Sequence, residues 1–321
     1  MKTGAFIVPT GIGASIGGFA GDASYWARQF AKKNRLIVNP NVVNAACFSG
    51  ITENMLYVEG YSLDEFFRGK LDLIPSENNK IGIIFDKSIP QEVLNVHINT
   101  INAVKTVYGV NVIGYEITEE PVGVSFFVDK SGASVGDVAN LVTLYNSAEK
   151  LLKNGAEAIA IVCAFPEDDN NEYANGIGVD PVGGVEAIIS HFISKEFKVP
   201  CAHAPAFSNI EISTDIVDPR ASAEYITPTF LPCILLGLNQ APKLCGSKSV
   251  HNYTNVISVN DTEFLIVPYS AVGSVPVMEM SKLGKKIYAV KENKTILNVN
   301  PVNFDVKCDI INSYEELQEL I

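Results

Sequence analysis

The chain has 321 residues, 47% of them apolar, with mean hydropathy +0.17 and a net charge of −12. That is enough to bury the core of one large α/β domain or two medium ones. The charge and the absence of a dense Lys/Arg run argue against a nucleic-acid partner, and apolar runs such as Ile81-Gly82-Ile83-Ile84-Phe85 fall far short of the roughly 20 residues that cross a bilayer.

No signal-peptide apolar region opens the chain, so a cytoplasmic protein without a membrane partner is expected. Six cysteines, Cys47, Cys163, Cys201, Cys233, Cys245 and Cys308, form no C-x-x-C pair. They read as reduced, mostly buried thiols rather than a disulfide framework or zinc ribbon.

In chain order, Ala5-Phe6-Ile7-Val8 reads as a buried strand, followed at once by a glycine-rich turn, Gly11 to Asp22, that opens a helix. Glycines let backbone approach a ligand closely, and the free N–H groups of a helix start favour negative charge. Arg35-Leu36-Ile37-Val38 is a second strand, running into the polar loop Asn39-Pro40-Asn41-Val42-Val43-Asn44. Residues 81–85, 91–107 and 111–117 make a strand, a helix stopped by Gly109, and a strand. Apolar positions from 136 to 153 repeat at three and four, which predicts a helix ending at Gly155.

Strand 158–163 leads through the acidic run Glu167-Asp168-Asp169 to a second glycine turn, Gly176 to Glu186, with Asp180 as cap and Pro181 in the first turn of a helix over 185–194. A short strand, 199–203, ends at His203. Residues 227–238 are an apolar helix interrupted by Pro228 and Pro232. Strand 263–267, helix 277–283, strand 286–290 and a helix over 314–320 complete the chain.

This alternation predicts an α/β fold with largely parallel sheet, helices on both faces, and an arrangement in two lobes with a cleft between them as one option. The division is set at 1–130 and 131–321, with the boundary near residues 128–136, and a single domain remains open.

Ligands of open parallel sheets bind beyond the carboxyl ends of the strands, so the loops there should converge. Thr10, Gly11, Gly13, Gly17, Gly18, Asn41, Asn44, Gly183 and Gly184 are the expected ligand-binding residues, and His203, Asp180, Glu186 and Asp22 the expected catalytic ones. His203 suits proton transfer because its ordinary pKa is near neutrality; a hydrogen-bonded core histidine is the plainer alternative, as it is for His97 and His191.

The loop lacks the dinucleotide fingerprint, since Ile16 stands where a third glycine belongs and Val38-Asn39 where an acid would close the second strand, so a nicotinamide cofactor is not expected. It also lacks a P-loop ending. The acidic run with Asp180 and Glu186 could collect oxygen ligands for a divalent metal, although a solvated loop explains it as well; a zinc site on His191 and His203 matches no local ligand spacing.

The segments Pro9 to Asp22, Asn39 to Ala46, Gly178 to His191 and Cys201 to Ala206 together resemble an uncharacterised family, domain of unknown function 3326. The resemblance covers nearly the whole chain and implies no reaction. The expectation is therefore a cytosolic enzyme on a small carboxylate- or phosphate-bearing metabolite, by lyase, isomerase or transferase chemistry. The alternatives are a non-catalytic small-anion binding or sensing protein, and a cofactor-independent two-cysteine racemase using Cys47 and Cys163. Self-association into a homo-oligomer fits any of them.

Overall fold

The computed structural model describes residues 1–166, 172–246 and 253–321. Two parallel sheets organise it. The six-stranded sheet runs Asp309–Ile311, Lys286–Val290, Thr262–Pro268, Lys2–Phe6, Asn34–Val38, Met55–Tyr57, with every neighbouring pair parallel. The four-stranded sheet runs Cys201–Ala206, Ala158–Ala164, Ile81–Phe85, Val112–Ile117, also all parallel. Both ends of the chain thus share one sheet while the middle builds the other, and residues 128–136 fall on the antiparallel pair Val124–Val128 and Ser134–Val138.

Parallel strands need cover on both faces, which is why their sequences read as apolar runs rather than as alternations. Every residue of Ile81–Phe85 is buried. The alternation reappears in which core each side chain joins. Phe6, Leu36, Val38 and Ile266 of the large sheet share one cluster with Ile83, Phe85, Ala160 and Val162 of the small one. Ala5, Ile37 and Leu265 point into a second cluster with Phe66 and Met280, and Ile84, Ile159 and Ile161 into a third with Leu144, Leu151 and Ile189. The two sheets therefore share a common core to which helices Ser24–Ala31, Gln91–Tyr108 and Leu231–Asn239 also contribute, and other helices pack on their opposite faces, so that helices lie on both faces as the alternation of strand and helix predicts.

Helix Leu231–Asn239 lies in that common core, packed on strands of the small sheet and on the loop after Asn34–Val38. It is apolar all round because no face of it meets water, and each fully buried Leu or Ile contributes about 1.5–3 kcal/mol. Gly237 is required there, since a methyl would lie 2.7 Å from the Tyr57 ring.

The strand expected over 199–203 is Cys201–Ala206 and the helix expected over 227–238 is Leu231–Asn239; three further boundaries differ from the sequence expectation for a local reason. The helix expected over 136–153 begins only at Leu141; Asn140 caps it by accepting from the Thr143 amide at 3.3 Å, and Ser134–Val138 is a strand. The helix after the second glycine turn is Gly183–Phe197, and Asp180 stands outside it, accepting from the Val182 amide at 3.0 Å instead of capping. The first helix, Ser24–Ala31, starts only after a long turn-rich loop, so the glycines of residues 11–18 are not its first turn.

Candidate active site

The loops leaving Lys2–Phe6, Asn34–Val38, Ala158–Ala164 and Cys201–Ala206 meet around a cleft of about 720 Å³. Thr10, Gly11, Gly13, Gly17, Gly18, Asn41, Asn44, Asp180, Glu186 and His203 all line it. Asp22, Gly183 and Gly184 stand behind its wall. The sheets explain the convergence, because all these loops leave carboxyl ends of parallel strands.

The glycine loop owes its shape to contacts within the protein. A methyl on Gly18 would sit 2.1 Å from the Ala14 carbonyl oxygen, and one on Gly21, at φ +60°, 1.9 Å from the Asn44 oxygen. The Gly17 amide donates to the Asp22 carboxylate, which the Phe19 amide also approaches at 3.4 Å. Burial nevertheless raises Asp22 to about pKa 6, outweighing those two amides. Ser15 and Ile16 donate to the Lys294 carbonyl (2.7 Å) and the Asn293 side chain (3.0 Å), tying the loop to the segment beyond Lys286–Val290.

Asn39 joins the first two strand ends, accepting from the Val8 amide at 3.1 Å and donating to its carbonyl at 2.7 Å. In the second glycine turn the Gly184 amide donates to Ser134 Oγ (3.0 Å) and the Gly183 amide to Asp180. The amides of Gly17, Gly183 and Gly184, expected to clamp an anion, are thus already engaged inside the chain, whereas Gly11 and Gly13 face the cleft.

The chemistry sits on side chains. Helix Gly183–Phe197 presents Glu186, only 6% exposed, with Oε2 3.7 Å from His203 Nε2; His203 Nδ1 meets Ser190 Oγ, one helical turn on, at 2.9 Å. Glu186 Oε1 has no hydrogen-bond partner among the described residues. Burial, with the charges of Asp180 and Glu224 added, pushes the Glu186 carboxyl well up, and burial lowers His203 to about pKa 3. With His203 held neutral near pH 7, the 3.7 Å contact is not an ion pair.

Glu224, on the short helix Ser222–Tyr225, accepts from Tyr173 Oη at 3.3 Å and is raised to about pKa 8 by burial and by Asp180. Asp180 is itself raised by burial. Tyr173 is placed by stacking on Phe19, ring centroids 4.9 Å apart, and the Arg220 guanidinium lies 4.7 Å from the Phe19 ring centroid. Arg220 is held in turn by Asp218 and the Gly176 carbonyl, both at 2.9 Å.

Among the described residues, the cleft is lined by the carboxyls of Asp180, Glu186, Glu211, Asp215 and Glu224, with His203, two tyrosines and Cys233, and by no lysine or arginine. Tyr173 and Glu224 escaped the sequence reading, since neither follows a strand: a lone acid in Ala221-Ser222-Ala223-Glu224-Tyr225 was the available signal. No group of three or more His, Cys, Asp and Glu among the described residues has the arrangement that holds a metal ion, and Glu167-Asp168-Asp169 lie outside the described residues. His191 pairs with Glu59 at 3.4 Å rather than with a shared metal. Cys47 and Cys163 do not line the cleft, and burial pushes both thiols up.

A family model described as "Protein of unknown function (DUF3326)" matches residues 3–321. A protein of Synechococcus sp. named an uncharacterized lipoprotein is 38% identical over 319 residues, 98% of this chain and 88% of the relative. No solved structure matches the chain. Among the described residues no helix is long and apolar enough to cross a membrane.

Proposed function

The chain belongs to the DUF3326 family of proteins of unknown function, and from its cleft we propose that it is an enzyme moving protons on a small polar metabolite. The observation that carries this is the buried Glu186–His203–Ser190 chain opening on a cleft of metabolite size. A neutral His203 accepts at Nε2, Ser190 holds the ring by its other nitrogen, and Glu186, whose pKa burial moves in the opposite sense, lies 3.7 Å from the accepting atom; groups whose environments separate their pKa values in this way divide acid and base roles. Proton transfer of this kind is common to lyase, isomerase and transferase steps.

The lining favours an uncharged or positively charged group over the phosphate or carboxylate that the glycine loop by itself suggests, because the described residues of the cleft include no lysine or arginine to hold an anion. We place the protein in the cytoplasm within this proposal on its six unpaired thiols; the relative's name points instead to a lipid-anchored setting, and fractionation of the cells separates the two.

The test is turnover of whatever small molecule is released on denaturing the purified protein. His203→Asn should keep binding of that molecule and lose turnover by 100-fold or more, the usual scale for a general base. Undiminished turnover in the variant would overturn the assignment, and binding without turnover in the unaltered protein would make it a binding module.

A further inference from the structure

We propose that the molecule held in this cleft carries an ammonium group, seated at Glu186 in a wall that Asp180 and Glu224 also line. The inference rests on the reading of the cleft as a small-metabolite site and names the chemical class of its ligand. Two buried acceptors in the wall have no donor among the described residues: Glu186 Oε1 and Asn44 Oδ1, while the Asn44 amide nitrogen is turned to Tyr57 Oη at 2.9 Å. A buried acceptor left without a donor is costly, so the partner is expected from the ligand. An ammonium supplies three donors and no acceptor; phosphate and carboxylate supply acceptors only.

The charge arrangement agrees. Glu186 and Glu224 are each disfavoured as anions by burial and then by Asp180, and no lysine or arginine among the described cleft-lining residues relieves them. Tyr173, Phe207, Tyr225 and Phe230 add aromatic surface, which attracts an organic cation through the ring quadrupole. A divalent metal fits less well, since it needs several oxygens converging at 2.0–2.6 Å and no such group forms among the described residues.

Thermal melting of the full chain with 1,4-diaminobutane, succinate, inorganic phosphate or magnesium chloride, each alone, tests this. The diamine is expected to raise Tm saturably, and Glu186→Gln to weaken its apparent affinity at least tenfold; Glu224→Gln, read in parallel, guards against a folding defect in the first variant. A rise with phosphate or succinate but not with the diamine overturns the ammonium, as does an equal rise with magnesium alone, a diamine effect unchanged in both variants, or no response to any probe. Should succinate or phosphate act and His203→Asn abolish turnover, the ammonium falls while the proton-transfer reading stands.

Discussion

Replacing Glu224 by Gln is expected to stabilise the protein at neutral pH, although it removes an ionisable group from the candidate site. In the fold Glu224 is raised from its ordinary 4.5 to about 8, first by burial and then by Asp180. A raised carboxyl contributes its full stability below pH 4.5, where both folded and unfolded chains hold the proton. As pH climbs toward 8 the unfolded chain ionises while the folded one does not, and stability is lost. At pH 7 the unfolded group stands 2.5 pH units above its own midpoint, each worth about 1.4 kcal/mol, a loss of about 3 kcal/mol in all.

Glutamine carries no such loss and can still accept from Tyr173 at the present 3.3 Å. Urea unfolding of both proteins between pH 4 and 8 should therefore show a difference near zero at pH 4.5 that grows to about 3 kcal/mol at pH 7, or a Tm higher by on the order of 5 °C. A variant less stable than the parent at pH 7, or a difference that ignores pH, would refute the reasoning. Sites that gain by losing their function are where an acidic cluster is kept for a ligand.

Asn39→Ala should lower stability by about 2–3 kcal/mol in urea unfolding, because it strands both backbone groups of buried Val8 at once. Gly109→Ala, at φ +70° with nothing within 4 Å, should cost only about 1 kcal/mol, whereas Gly21→Ala, at a similar φ but facing the Asn44 carbonyl, should cost clearly more in the same assay. Iodoacetamide applied to the native protein should label Cys47 and Cys308, the two half-buried thiols, well before Cys163, Cys201, Cys233 and Cys245; peptide mass spectrometry reads the order.

Strands were legible in the chain where a short apolar run is bounded by turn residues. Lys286–Val290 and helix Tyr314–Leu320 lie where periodicity puts them. Pairing was not legible, because the contact between Lys2–Phe6 and Thr262–Pro268 joins opposite ends of the chain and leaves no local trace in either run. The helix expected over 136–153 went too far because Val138 fits a helical stripe and a hairpin strand equally well.

The cleft was legible through the strand-end rule: Thr10, Asn41 and Asp180 follow different strands and meet in space with His203, which lies within the strand Cys201–Ala206 rather than at its end. What was not legible is how the backbone amides are spent. Gly184 is satisfied by Ser134, fifty residues earlier, and Gly17 by Asp22, so glycine content alone reads as an anion site that the cleft, with no lysine or arginine among its described residues, then disfavours. Glu224 and Tyr173 were missed for a related reason, since their roles come from neighbours remote in sequence.

Mass spectrometry of small molecules released by denaturing freshly purified protein bears most directly on the central claim, that the acidic cleft is built around a bound organic cation. The expected result is an amine near one equivalent per chain from the unaltered protein and much less from Glu186→Gln. A phosphorylated or purely carboxylic compound, or an amine retained equally by both proteins, would contradict it.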